Sequence, residues 1–175
     1  MALELIVFVL ASAGLVVVFA DCLRDPGSHG FYRFFAFEAI LGLVMLNAAH
    51  WFRDPFSTLQ VISWLLLASS LALALHGFHL LRTIGKPDGP IESTTEVVRS
   101  GAYRYIRHPL YGSLLLGAWG VFLKAPSPVG VLLGLLATGF LVATARVEEG
   151  ENLSKFGEEY ASYMRETRMF IPFLF

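Results

Sequence analysis

The chain alternates long apolar runs with short polar links. Apolar residues extend from about Ala2 to Ala20, broken by Glu4 and Ser12, and from about Phe31 to Phe52, with Arg33, Glu38, Asn47 and His50 inside. Three more runs cover about Ser57 to Leu81, Pro109 to about Leu123, and about Val129 to Ala145. A bilayer crossing takes roughly 20 apolar residues, so the pattern predicts an all-α polytopic membrane protein of about five transmembrane helices, the fourth of them short. No basic residue precedes the first run and it is long enough to span, so a retained helix is expected there and not a cleaved signal. Turn formers fill the links at Asp25-Pro26-Gly27, Arg53-Asp54-Pro55 and Lys124-Ala125-Pro126-Ser127-Pro128.

The longest polar stretch runs from Arg82 to His108 and holds a rigid loop, Gly85-Lys86-Pro87-Asp88-Gly89-Pro90. Within it, Ser93-Thr94-Thr95-Glu96 offers helix-capping chemistry and predicts a short interfacial helix from about Thr94 to Arg99. After Ala145 the pattern turns charged, predicting a water-facing helix from Arg146 to Thr167 that is interrupted at Gly157. Gly112, Gly117 and Gly120 in the fourth run, with Gly130, Gly134 and Gly139 in the fifth, predict a closely packed antiparallel hairpin, because small residues let membrane helices approach.

Composition agrees with the pattern: 55% of residues are hydrophobic and 15% charged, where soluble domains carry about a quarter charged. A net charge of −1 argues against nucleic acid, whose phosphates need a concentrated basic surface. Cys22 is the single cysteine, so an intrachain disulfide and a thiolate metal cluster are both excluded. With five spans, eleven of the thirteen Lys and Arg fall on one side, leaving Arg53 and Lys124 opposite. Positive-inside bias then places the N-terminus outside and the C-terminal helix in the cytosol.

Candidate chemistry concentrates at Gly101-Ala102-Tyr103-Arg104-Tyr105-Ile106-Arg107-His108-Pro109-Leu110-Tyr111-Gly112. Pro109 reads as the first residue of a helix, since its missing N–H would be unpaired there anyway. Arg107 and His108 stand at the mouth of that helix, where unpaired N–H groups suit a carboxylate or phosphate. The plainer reading is that Arg104 and Arg107 anchor a membrane helix at the headgroups. An antiparallel hairpin brings Glu148 and Glu149, at the end of the fifth run, to the same membrane depth as Arg107 and His108. Glu38 is an intramembrane carboxylate, hence a functional candidate, with a salt bridge to Arg33 or Arg82 as the alternative. His76 and His79 lie three apart on one helical face; without a third ligand of clear spacing they make a poor zinc site and are read as cavity lining or a helix contact, so no metal is expected.

The order Gly-x-Tyr-x-x-x-Arg-His-Pro-x-Tyr resembles the signature of the isoprenylcysteine carboxyl methyltransferase and phospholipid N-methyltransferase family of integral membrane enzymes. A second block resembles that family's C-terminal pattern: Glu148-Glu149, then Phe156-Gly157-Glu158-Glu159-Tyr160, Tyr163 and Phe170-Ile171-Pro172. The resemblance implies S-adenosylmethionine as cofactor, with Tyr103, Arg107, His108, Pro109, Tyr111, Glu148 and Glu149 around it, and Arg107 and Glu149 as the catalytic pair. It implies one membrane domain over 1–175, in which 101–175 is the cofactor region and 1–100 the substrate side, where Glu38, His76 and His79 lie. Lipophilic substrates of the prenylcysteine carboxylate or phospholipid amine type, in contact with membrane lipids, follow from the same resemblance, as does a cell membrane or endoplasmic reticulum location. Two alternatives stay open: an NADPH-dependent membrane reductase of the sterol-reductase type, which resembles this family in its C-terminal helices, and a non-catalytic protein that binds lipid or heme through the histidines.

Overall fold

The computed structural model describes residues 2–89, 91 and 93–172. The described residues form six α-helices: α1 (Ala2–Val18), α2 (His29–Asn47), α3 (Thr58–Thr83), α4 (Pro109–Phe122), α5 (Pro128–Phe156) and α6 (Glu158–Glu166), with short 3-10 turns at Cys22–Arg24, Ala48–His50 and Gly101–Arg104. Three helical stretches are long and apolar enough to cross a membrane: His29–His50, Thr58–Thr83 and Pro128–Phe156. Two shorter apolar helices, Leu5–Val18 and Pro109–Phe122, occupy the other two predicted spans. The chain is an all-α integral membrane protein.

Local chemistry explains where the helices begin. Ser28 accepts the N–H of Phe31, Ser57 that of Gln60 and Ser127 that of Gly130, so a serine side chain satisfies an orphan donor in the first turn of α2, α3 and α5. Pro128 and Pro109 both occupy first helical positions.

The chain divides into two compact units, one of Met1–Leu67 with Leu115–Glu148, the other of Ala68–Leu114 with Glu149–Phe175. In the first unit the core is Ala39, Leu43, Ala118, Val121 and Ala137, with Ile40, Val44, Trp51, Leu67, Phe122 and Leu133 packed around it. The α4–α5 hairpin is close-packed through small residues facing rings: the Trp119 ring lies against Gly134, where an added Cβ would come within 3.3 Å of it, and Trp119 Nε1 donates to Thr138 Oγ1 at 3.2 Å. Phe35 stacks on Phe140 at 5.2 Å. On α1, Leu10, Val17 and Val18 are 67%, 76% and 77% exposed, the apolar surface that a lipid-facing helix presents.

In the second unit the end of α3 supports the first turns of α4. Ser70 Oγ donates to Ser113 O at 2.7 Å, and Gly77 lets Pro109 and Leu110 approach so closely that a Cβ there would meet both within 3.3 Å. The polar loop after α3 folds back on itself. Thr95 N–H donates to Gly85 O at 2.8 Å, its hydroxyl donates to Lys86 O at 3.0 Å, and Lys86 pairs with Glu96 at 2.6 Å. This overturns the expected helix at Thr94–Arg99: the capping-type side chains close the loop instead of starting a helix, and 94–99 is irregular. Pro90, the last residue of the predicted rigid loop, lies outside the described residues.

The charged segment also differs from expectation. No separate helix starts at Arg146; α5 continues without a break to Phe156, since Arg146, Glu148, Glu149 and Glu151 are good helix formers and nothing caps the helix before them. The interruption at Gly157 is present, with φ at +57°, a conformation that favours glycine. Beyond it α6 is amphipathic, burying Tyr160 and Tyr163 while Glu158, Glu159 and Arg165 are exposed.

Candidate active site

Pro109 starts α4 and is fully buried, which fixes the two residues before it. Their backbone does not join the helix. It pairs with the segment after α6: Arg107 N–H donates to Arg168 O at 2.7 Å, His108 N–H to Met169 O at 3.1 Å, and Arg168 N–H returns to Tyr105 O at 3.1 Å, a single parallel bridge between Ile106 and Arg168. The motif thus gains a defined backbone path on both sides of each peptide, and the side chains of Arg107 and His108 point from it in set directions.

Both meet Glu149. Arg107 Nε donates to Glu149 Oε1 at 2.6 Å, and His108 Nε2 lies 3.2 Å from the same oxygen, within hydrogen-bond reach of the ionised carboxylate. The side chains of Arg107, His108 and Glu149 are only 10%, 3% and 9% exposed, so the ion pair sits in a low-dielectric setting where a charge-assisted bond is strong. The guanidinium has further partners: Nη1 donates to Thr167 O at 2.7 Å and Met164 O at 3.3 Å, satisfying carbonyls at the C-terminal end of α6. Arg107 therefore ties the Glu149 carboxylate, about two turns before the end of α5, to the end of α6.

Aromatic rings surround this cluster. The His108 ring stacks on Tyr111 at 5.5 Å with 22° between planes, and Phe170 lies 6.1 Å away. Tyr103 is buried, and its carbonyl accepts the hydroxyl of Tyr163 at 2.7 Å. Burial, together with the neighbouring Tyr160 phenol, pushes the Tyr163 phenol above its ordinary range, while Arg107 and Arg99 pull the other way. Arg99 lies over the Tyr163 ring at 5.5 Å and donates to Glu159 O at 2.6 Å, holding α6 from its other end.

Of the residues expected from sequence, Arg107, His108 and Glu149 touch one another, Tyr111 stacks on His108, Pro109 begins the helix, and Tyr103 joins through Tyr163. Glu148 precedes Glu149 on α5, about 100° round the helix, and is half-buried. Glu38 belongs to the first unit, where its Oε1 accepts the hydroxyl of Ser12 at 2.9 Å. His76 Nε2 accepts the backbone N–H of Ala102 at 3.3 Å. The His79 side chain is exposed, and its carbonyl accepts the Thr83 hydroxyl at 2.7 Å. Sequence reasoning missed the part played by Thr167, Arg168 and Met169: they act through carbonyls and N–H groups, which leave no trace in side-chain identity. The Tyr163 hydroxyl also donates a hydrogen bond, to Tyr103 O, for which the only signal was its phenol.

Methanethiol S-methyltransferase of a Pseudomonas species is 32% identical over 70 residues, covering 40% of this chain and 26% of that protein. The enzyme of that name from Mycobacterium tuberculosis is 29% identical over 70 residues, 40% of this chain and 28% of its own length. Methanethiol S-methyltransferase of Pseudomonas deceptionensis aligns over 173 residues at 25% identity, 98% of this chain and 60% of that protein. The chain thus spans between about a quarter and three fifths of the length of these relatives. The family described as Phospholipid methyltransferase matches residues 59–159, more than half of the chain and inclusive of Tyr103, Arg107, His108, Tyr111 and Glu149; the chain belongs to the phospholipid methyltransferase family.

Proposed function

We propose that this chain is an S-adenosylmethionine-dependent methyltransferase whose reaction centre is the Arg107–His108–Glu149 cluster, acting on the polar end of a lipophilic molecule that enters from the bilayer. The observation that carries the reading is the buried carboxylate of Glu149 held at one oxygen by two consecutive residues of the motif before α4. The residues fit the cofactor. A buried carboxylate, aromatic faces at Tyr111 and Phe170, and the first-turn N–H groups of α4 match a ligand with an ammonium, a carboxylate and a sulfonium cation. When bound, that cofactor supplies an electrophilic methyl group for in-line displacement.

The chain's own part is to hold and exclude. Arg107 fixes the Glu149 rotamer, and His108 donates its Nε2 proton to the same oxygen. Oε2, which these two bonds do not use, is the oxygen assigned to the ligand's ammonium or ribose hydroxyls. Glu148 extends the acidic surface on that helix, while Tyr103 and Pro109 fix the backbone that carries Arg107 and His108. Because the His108 Nε2 proton is committed to Glu149, rate enhancement rests on alignment and water exclusion more than on proton transfer at that nitrogen. A carboxylate or thiolate acceptor needs no base; an amine or phenol must lose its proton elsewhere.

The domain works as one membrane unit in which 1–100 form the acceptor side, with Glu38 and His79 as its polar groups, and 101–175 the cofactor side. The basic residues orient it with the N-terminus outside and the site cytosolic. Two acceptor classes have support: the family description favours a phospholipid headgroup, and the names of the relatives favour a small thiol. Calorimetric titration of the detergent-purified protein with S-adenosylhomocysteine tests the reading without an acceptor. Saturable binding that is lost in Glu149→Gln and His108→Ala is the expected result. Protection in a thermal melt by NADPH and not by S-adenosylhomocysteine would overturn it. Methyl transfer to methanethiol or to phosphatidylethanolamine vesicles then separates the acceptors.

A further inference from the structure

The segment that carries the site residues leaves α3 behind at Thr83 and returns to it at Gly101. Gly101 has φ at +57°, and an added Cβ there would fall 2.5 Å from His76 Nε2 and 2.6 Å from Leu80 Cδ1. The next residue, Ala102, donates its N–H to that same His76 nitrogen at 3.3 Å. Two observations of different kind therefore join His76 to the start of the motif: a close approach at a positive-φ glycine, where a Cβ would displace the His76 and Leu80 side chains, and a hydrogen bond whose acceptor is a side chain. To accept at Nε2 the imidazole carries its proton on Nδ1. The 3-10 turn Gly101–Arg104 begins at this contact, and Tyr105 N–H closes it onto Ala102 O. Five residues on from Ala102 stands Arg107.

Seven residues before Thr83, His76 shares α3 with Leu73 and Gly77, which lie under Gly112 and under Pro109 and Leu110. The far end of the motif therefore rests on α3 through apolar contact and the near end through His76. The two ends of the segment 101–112 are set by one rigid helix, the near end through a bond to the His76 side chain and the far end through apolar contact, with the Ser70 hydroxyl bonded to Ser113 O just beyond it.

We infer that His76 is a positioning residue that fixes the register of the Gly101–His108 segment, and through it the aim of Arg107 and His108 at Glu149; its bearing on ligand binding rests on the methyltransferase reading above. The sequence left His76 as cavity lining or a helix contact on the acceptor side; its Nε2 accepts the backbone N–H of Ala102.

The test uses the full chain in detergent with two substitutions. His76→Gln keeps an acceptor near the Nε2 position, and His76→Leu keeps bulk without one. Amide hydrogen exchange of residues 101–108, followed by mass spectrometry, needs no ligand. His76→Leu should exchange about fivefold faster across that segment and bind S-adenosylhomocysteine about fivefold more weakly, the loss of one hydrogen bond, while His76→Gln stays within about twofold of the parent in both. Equal exchange in His76→Leu and parent, or His76→Gln behaving as His76→Leu does, overturns the inference. If exchange separates the variants as expected while no form binds S-adenosylhomocysteine, the positioning role stands and the methyltransferase reading falls.

Discussion

Lys124 in one unit and Arg107 in the other are both withdrawn from water, and they are held by different chemistry. Lys124, between α4 and α5, is 5% exposed; its ammonium donates to Gln60 Oε1 at 3.0 Å and lies 3.6 Å from the Trp64 ring centre and 5.6 Å from that of Trp51. Gln60 in turn donates to the carbonyls of His50 and Lys124, at 3.1 and 3.2 Å. Among the described residues none of the partners of Lys124 is a carboxylate. Arg107 instead meets Glu149 at 2.6 Å. A cation in a cage of rings and amides leaves no counter-charge behind to offer a ligand, so the Lys124 cluster is a structural pin. A buried ion pair adds little net stability but presents an oriented carboxylate, which is what a binding site needs.

The largest effect should come from Glu149→Ala, which leaves the Arg107 guanidinium buried and unpaired at a cost of about 3–5 kcal/mol. A steep fall in the detergent melting temperature together with lost S-adenosylhomocysteine binding would be measured. The double variant Arg107→Met with Glu149→Leu should recover stability without recovering binding; recovery of both would erase the contrast between pin and site. Trp64→Leu comes next, removing a cation–π contact of about 1–2 kcal/mol while leaving ligand affinity unchanged.

Smaller still, Tyr163→Phe removes the bond to Tyr103 O and should cost about 1 kcal/mol. Its signature is in pH. The Tyr163 phenol sits above the ordinary value of 10.0, so the unfolded chain loses that proton first; the stabilisation is full below about pH 10 and falls as pH rises beyond it. Melting curves of the phenylalanine variant should lack this alkaline decline. Least of all, Lys124→Met should change stability by under about 1 kcal/mol, since methionine packs well on indole and burial already costs the ammonium. Burial holds the Lys124 ammonium below its ordinary 10.5, so the unfolded chain binds more protons and the parent gains stability as pH rises toward that value. The methionine variant should not.

The helices were legible because bilayer length and apolar runs coincide: α2, α3 and α4 begin within two residues of where the pattern starts them. Arg107, His108 and Glu149 were legible as a group because the α4–α5 hairpin returns the chain to the same depth. Two things were hidden. The Thr94–Thr95 hydroxyl chemistry fits a cap and a loop closure equally well, and only the partner, Gly85 or Lys86, decides. The continuation of α5 to Phe156 was hidden because a change from apolar to charged residues marks a change of solvent, not the end of a helix.

The pairing of Arg107 and His108 with Arg168 and Met169 through main-chain atoms alone has an evolutionary corollary. A partner that contributes only its peptide groups is indifferent to its own side chain, so the exposed position 168 is free to drift across relatives while the motif it supports stays put. Proline is the one residue that position refuses, because it would remove the N–H given to Tyr105 O. Alignments that score residue identity would pass over this half of the site, and the trace to seek in them is a missing proline.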